Sequence, residues 1–456
     1  MSVENQTTDT RIPRALVRYY AGVRTAMRRA AARRAGRDTP AVALDLPEHP
    51  SEDFRRFADV TDIGLTEVDP GLHLLDLMRN PGTRTTKSVA SLTMVARAVH
   101  HIRTTGERLV LLTPTSGNKG TALRDAVARA YASGLATPDE LRLVVVVPAA
   151  SRAKLRGGPL SADPQLRAAN PVVVAAVERP AGVKRLATDV LAQVSPWLAG
   201  KTGFTCWYTL DLDNYRAADV VRAFVEAELA PITPDSPPRW HAHAVSSGYG
   251  LLGYHFGHEL LTSREYPEFA EPARHPGFLL VQQLATADMV VSALGREPRP
   301  YAPGPGGTWR QEEPADPAFP AVTDDPGEVL DATFYTKNPP TSAEIDPLIA
   351  RHGGGGIVVS RRECLDRFGE VRSLAANAGI GITADPALIR EWSLVKVLTG
   401  VLLARERGLV PAGTEIIAHA SGYYTDELVP PLDPAHTTPA ANAADLAEAL
   451  TAAVLA

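Results

Sequence analysis

Short runs of aliphatic and β-branched residues, each followed by a helical stretch, constrain this chain more than any other feature. LVLLT (109–113), LRLVVVVP (141–148) and PVVVAAVE (171–178) come first, with helical segments after Gly120 and over about 183–195. A second series follows: HAHAV (241–245), FLLVQQL (278–284), IVV (357–359) and EIIAHAS (415–421). Continuous apolar runs of this length read as strands buried on both faces, and their alternation with helices implies parallel sheets. The expected fold is α/β, two doubly wound domains with mostly parallel sheets. With 456 residues, 45% of them hydrophobic, the chain can bury one large core or two medium ones.

Three other stretches stand out from this pattern. Residues 11–37 carry nine Arg and no acid, while Leu16, Tyr20, Val23 and Met27 recur at helical spacing. They predict an N-terminal helical extension over 1–45, packed through that stripe with a solvated basic face. The stretch 296–327 holds eight of the 38 prolines and reads as a long irregular loop, a lid or a surface insertion. Residues 353–356 are four consecutive Gly, which reads as a flexible joint, and the Ala-rich tail after Pro434 reads as a short helix.

The net charge of −5 gives no reason to expect a nucleic acid or an anionic membrane surface as partner. No run approaches the ~18 apolar residues of a membrane helix, and Arg recurs where a secretory signal would need an apolar core. A cytoplasmic protein is expected. Two cysteines, Cys206 and Cys364, exclude a disulfide scaffold, a Cys-based zinc site and an iron–sulfur centre. Only seven lysines stand against forty arginines, so a mechanism that needs an amine has few candidates.

Three strand-to-helix junctions carry polar chemistry. In PTSGNKG (114–120), small residues expose backbone N–H groups at a helix N-terminus, an anion site to which Thr115, Ser116, Asn118 and Lys119 add donors. An ordinary glycine-containing turn would read the same way. In SSGYGLLG (246–253), Gly248 and Gly250 let the backbone approach a ligand, and Ser246 and Ser247 supply hydroxyls, an arrangement suited to a phosphate monoester. No acidic residue follows at the spacing a ribose would need. In NPGTRTTKS (80–88), Lys87 opens an apolar helix, where partial burial lowers an amine's pKa and makes it a usable nucleophile or base.

Taken in order, the lysine segment, the TSGN loop, the Ser/Gly loop and the late SGYYTD segment resemble the fold-type-II pyridoxal-phosphate enzymes, the tryptophan synthase β superfamily. The resemblance covers roughly residues 70–430 and in outline is nearest threonine synthase and cysteate synthase. It implies a large cofactor-binding domain from 46–108 and 200–456, and a small mobile domain, 109–199, carrying the loop for the substrate carboxylate. It implies that Lys87 forms the Schiff base with pyridoxal 5'-phosphate and shuttles the α-proton, and that Asn118 bonds the phenolic oxygen of the ring. Ser246, Ser247, Gly248, Tyr249 and Gly250 would cradle the phosphate, and Ser421 would meet the pyridine nitrogen. Thr115, Ser116 and Gly117 would hold the substrate carboxylate, with Arg84 as a further candidate for orienting an anionic substrate.

Lys119 stands where the family has a second Thr, and we expect it to meet a second anionic group, a phosphate or a side-chain carboxylate. Tyr249 is bulkier than the usual Gly, and one residue more than usual separates Asn80 from Lys87. The implied activity is β- or γ-elimination or replacement on an activated amino acid, such as an O-phospho or O-acyl amino acid, with a second nucleophilic substrate where replacement follows. A homodimer is implied as well. Two rivals remain at this point: a phosphate-ligand-binding α/β protein without pyridoxal phosphate, and a pseudoenzyme or binding protein that keeps the fold.

The remaining polar clusters read more plainly. His241, His243, His255 and His258 lie in one region, but no further ligand is evident nearby, so no metal is expected. Asp211, Asp213 and Asn214 read as a solvated loop, and Glu391-Trp392 as core packing.

Overall fold

The computed structural model describes residues 10–34, 42–330 and 337–456. Two sheets organise them. The larger has seven strands in the order Arg11–Ile12, Ile63–Asp69, Leu72–Asp76, Glu415–Ala420, Arg239–Ala244, Gly277–Gln283 and Gly354–Val359. From Leu72–Asp76 onward these run parallel; the two leading strands are antiparallel additions at one edge. The smaller sheet has five strands, all parallel: Thr438–Ala440, Val172–Ala175, Leu141–Pro148, Arg108–Pro114 and Phe204–Tyr208.

Alternation along each strand divides the apolar residues among three cores. Leu141, Leu143, Val145 and Val147 enter the core they share with Phe278 and Leu280 of the larger sheet, while Val144 and Val146 face the opposite way. Helices Lys87–Thr105, Asn118–Ser133 and Tyr249–Thr262 contribute to the shared core. The outer face of the larger sheet is covered by helices that include Phe368–Asn377 and Ser393–Glu406, and that of the smaller sheet by Val183–Thr202 and Ala443–Leu455. This is the mostly parallel α/β architecture that the strand pattern predicts.

The smaller sheet does not stop at residue 199. Phe204–Tyr208 pairs with Arg108–Pro114, and Thr438–Ala440 pairs with Val172–Ala175. The Ala-rich tail does form a helix, Ala443–Leu455, and its Leu446, Leu450 and Val454 are buried in this sheet's outer core. Nothing local in a sequence marks a strand as belonging to a sheet some 260 residues away.

Three further expectations are settled here. The N-terminal extension forms two successive helices, Ala15–Arg18 and Tyr20–Arg33, which bury Leu16 from the first and Tyr20, Val23 and Met27 from the second (0–4% exposed). Its basic face is not simply solvated: Arg18 pairs with Glu228, Arg29 with Glu265, Arg33 with Glu259, and Arg34 with Asp211 and Asp213. The glycine run is not a joint. Gly354, Gly355 and Gly356 are strand, paired with Phe278, Leu279 and Leu280. A Cβ at Gly354, whose φ is +137°, would lie 2.1 Å from the Phe278 carbonyl oxygen, and one at Gly356 would lie 2.8 Å from Val290. Close packing, not flexibility, demands glycine there.

The proline-rich stretch is ordered as a small antiparallel sheet of Tyr301–Pro303, Trp309–Gln311 and Val322–Thr323. Buried Gln311 donates Nε2 to the carbonyls of Phe319 and Pro320 at 3.1 and 2.9 Å, and the Ala318 carbonyl accepts from Val358 N–H at 2.8 Å. The stretch therefore caps the exposed edge of strand Gly354–Val359.

Candidate active site

The parallel strands aim their carboxyl ends at one cleft, where ligands of open α/β sheets bind. Strand Arg239–Ala244 leads into Ser246–Gly250, Glu415–Ala420 into Ser421, and Arg108–Pro114 into Thr115–Asn118. Lys87 joins them as the first residue of its helix. Its turn is tied to the Ser421 turn by Thr86 N–H donating to the Ser421 carbonyl at 2.9 Å. Ser116, Asn118, Lys119, Ser246, Ser247, Gly248, Tyr249, Gly250 and Ser421 line, with Lys87, one cavity of about 150 Å³.

Lys87 Nζ sits 5.6 Å from the centre of the Tyr215 ring, and among the described residues it has no hydrogen-bond or ion-pair partner. Burial pushes its pKa down; Asp219 opposes the shift, Arg222 adds to it and Glu391 opposes it. The result is an amine held closer to its unprotonated, nucleophilic form.

The TSGN loop is braced from behind. Thr115 Oγ1 accepts from Gly117 N–H at 3.0 Å and Gly120 N–H at 3.2 Å, so Thr115 shapes the turn and does not line the cavity. Gly117, with φ +131°, presses on Lys154. Asn118 Nδ2 donates to Glu391 Oε2 at 2.5 Å, and Tyr424 OH donates to Asn118 Oδ1 at 2.8 Å. These contacts fix the orientation of the amide and leave one Nδ2 hydrogen to spare. Glu391 also pairs with Lys154 at 2.7 Å, both side chains 3% exposed. Burial would raise the Glu391 carboxyl, but Lys154, Ser393 and Asn118 bring it down to about 2.

Lys119 Nζ donates to the Thr209 carbonyl and Oγ1 at 3.1 and 2.8 Å. Burial, aided by Lys184 and Lys87, lowers it to about 7, so it changes charge near neutrality. Arg84 is not in the cavity wall; its Nε donates to the Tyr423 carbonyl at 3.4 Å.

The Ser/Gly loop opens the helix Tyr249–Thr262 with no side-chain cap. Gly248 has φ +66°, and a Cβ there would meet Ile345 Cδ1 at 2.3 Å. The first backbone N–H groups of such a helix attract an anion.

Several residues in and around the site carry no sequence motif. Glu391, expected to be core packing, is a hub of the site. Asp211, read as part of a solvated loop, is buried and pairs with the fully buried Arg97 at 3.0 Å, while Asn214 is buried beside it. His419 is the ligand-type residue missing from the histidine count: it lies opposite His243 in strand register, and the ring nitrogens of His241, His243 and His419 fall within 4.8 Å of one another. The repeated H-A-H and A-H-A on two strands was the available signal.

This trio is wired for hydrogen bonds. Arg222 Nη1 donates to His419 Nδ1 at 3.2 Å, and an arginine can only donate. His419 is held neutral, burial pushing its pKa well below the usual value, so its remaining proton is on Nε2, which faces His241 Nδ1 at 2.9 Å. His241 in turn offers Nε2–H to Glu226 Oε1 at 3.3 Å. Metal ligation through His419 Nε2 would need a hydrogen on Nδ1, where Arg222 already points one. His243, also in the cavity wall, keeps a buried Nε2 without a partner among the described residues.

The fold is that of the threonine synthases. The pyridoxal-phosphate-bound threonine synthase from Brucella melitensis superposes with a TM-score of 0.50 at 14% identity, over 95% of this chain and 89% of that one. The threonine synthase of Escherichia coli gives 0.51 at 13% identity over 88% and 82%, and that of yeast 0.50 at 13% over 88% and 83%. No curated protein matches the chain in sequence. Residues 11–454 match a family of unknown function, DUF6002, and the chain belongs to it.

Proposed function

For this member of DUF6002, we propose a pyridoxal-phosphate-dependent enzyme that performs β- or γ-elimination or replacement on an activated amino acid. The observation that carries the reading is the desolvated Lys87 amine, without a partner among the described residues, in a cavity shared with a glycine-shaped anion loop, Ser421 and an oriented Asn118. The residues fit the cofactor: Gly248 and Gly250 are places where a Cβ would collide, the loop offers uncapped amides, and Asn118 retains a donor. The threonine synthase fold supports the same reading.

When bound, the cofactor supplies an electron sink for the carbanion at the substrate's Cα. The chain supplies the rest. Lys87 Nζ attaches the cofactor and moves the proton of Cα. Ser246, Ser247 and the amides of Gly248, Tyr249 and Gly250 hold the phosphate, Asn118 the phenolic oxygen and Ser421 the ring nitrogen. Ser421 offers a hydroxyl where a carboxylate would protonate the ring, which favours elimination over amino-group transfer. Ser116 and the loop amides, shaped by Thr115 and Gly117, take the substrate carboxylate. Lys119 takes a second anionic group. The reading includes a cytoplasmic homodimer; among the described residues no helix is long and apolar enough to cross a membrane.

The test is spectroscopic. Purified protein with added pyridoxal phosphate should show the visible band of the lysine-bound cofactor. Borohydride should fix the cofactor on Lys87, and Lys87→Ala should remove the band. A protein that stays colourless, or a band that survives in Lys87→Ala, overturns the reading. A panel of activated amino acids, followed for keto acid, inorganic phosphate and Cα-proton exchange, then identifies the substrate. No turnover by a protein that carries the band would instead favour a binding protein on this fold.

A further inference from the structure

We infer that Arg222 is the charge partner of the cofactor phosphate, held in place by a relay through His419, His241 and Glu226. This rests on the pyridoxal phosphate reading above but assigns residues that neither the glycine loop nor the fold accounts for.

Arg222 is 3% exposed and lies in the cavity wall. Three of its five N–H donors are hydrogen-bonded inside the protein: Nε to Asp219 Oδ1 at 2.9 Å, Nη2 to Thr86 Oγ1 at 2.6 Å, and Nη1 to His419 Nδ1 at 3.2 Å. Nη2 also lies 2.8 Å from Asp219 Oδ1 as an ion pair. The second N–H of Nη1 meets no acceptor among the described residues. Directly over the guanidinium passes Gly250, where a Cβ would lie 2.6 Å from Nη1 and 2.7 Å from Nη2. The glycine exists at this position because the loop and the guanidinium share one space. A phosphate on the loop amides therefore meets a fixed cation whose Asp219 counter-charge binds from the Nε side. The relay ends on Glu226, which Arg239 and Tyr254 also hold. Its direction is fixed, so the Arg222 head group has one low-energy orientation, and such prepaid order is what an anion site needs.

The readout is affinity, not turnover: dissociation constants for pyridoxal phosphate and for pyridoxal, which lacks the phosphate, measured by absorbance. Arg222→Gln should lose about tenfold or more in affinity for pyridoxal phosphate, the worth of one charge-assisted hydrogen bond, and less than about twofold for pyridoxal. His419→Leu should lose part of this discrimination and His419→Gln, which keeps an acceptor for Nη1, should regain most of it. If Arg222→Gln does not fold, Thr86→Val removes one anchor and should show the same selective loss at a smaller size. Equal losses for both compounds, or no loss, overturn the inference. Wild-type protein that binds both compounds equally overturns it while leaving the cofactor reading intact; wild-type protein that binds neither overturns both.

Discussion

Gly117 and Lys154 are in a contact that only glycine permits: a Cβ at 117 would lie 2.5 Å from the Cβ of Lys154. That contact seats Lys154 beside the TSGN loop, where its amine reaches Glu391, and Glu391 in turn grips Asn118. The TSGN loop is thereby anchored through buried charge to the end of strand Ile389–Glu391, just before helix Ser393–Glu406.

Glu391→Gln should therefore act on stability and on the site together. It leaves the Lys154 ammonium buried without its carboxylate, at a cost of about 3 kcal/mol or more. The Glu391 carboxyl has a folded value of about 2 against a usual 4.5, so its stabilisation is complete above 4.5 and is lost as pH falls toward 2. Urea melts across this range should show the wild type losing that increment in acid. Glu391→Gln should lack this part of the acid limb, and an unchanged limb would mean the pair contributes nothing.

Lys87 is expected to cost the cofactor-free protein stability. Its folded value lies below the usual 10.5, so folding is penalised wherever the unfolded chain holds that proton, and the penalty fades as pH rises to 10.5. Lys87→Met should make the cofactor-free protein more stable at pH 7 by about 1–2 kcal/mol. A destabilised Lys87→Met in chemical denaturation would show that Nζ has a compensating partner.

Lys119, at about 7, should impose a pH dependence on anion recognition. Below that value it is charged and should hold a second anionic group; above it the charge is lost and affinity should fall. The affinity of the wild type for a dianionic amino acid should drop between pH 6 and 8, by roughly tenfold. Lys119→Gln should bind weakly and flatly across the range. Isothermal titration at several pH values decides it, and a flat wild-type profile would remove Lys119 from recognition.

Gly354→Ala tests the glycine run as strand. The new methyl would meet the Phe278 carbonyl in a backbone conformation that disfavours any side chain, costing about 2–4 kcal/mol. A flexible joint would tolerate the change, and thermal melts of the variant separate the two cases.

The fold class was legible because buried parallel strands leave continuous apolar runs, and the packing of the N-terminal helices because Leu16, Tyr20, Val23 and Met27 recur at helical spacing. The cavity wall was legible where glycine and small polar residues sit at strand-to-helix junctions, as at Ser116, Asn118 and 246–250. What stayed hidden was set by contacts between distant segments. Glu391 follows a short turn with no motif of its own, and its partners Asn118 and Lys154 lie more than 230 residues earlier. Arg222 sits in the first turn of helix Val221–Leu229 with no motif around it, and His419 gains meaning only from its register with His243. Composition also misled: glycine and proline signalled looseness at 353–356 and 296–327, where tight packing and edge-capping were the actual demands.

The pairing of Thr438–Ala440 with Val172–Ala175 has a consequence for how the molecule is made. A ribosome delivers the other four strands of the smaller sheet long before Thr438–Ala440. Until residues 438–455 emerge, the Val172–Ala175 strand is an open template and Val190 and Leu198 lack their covering helix. The nascent chain must wait with a sticky edge, so a chaperone that shields strands matters most in the last stage of synthesis. A stop codon placed before residue 438 would yield a protein prone to aggregate even though every cavity-lining residue is present.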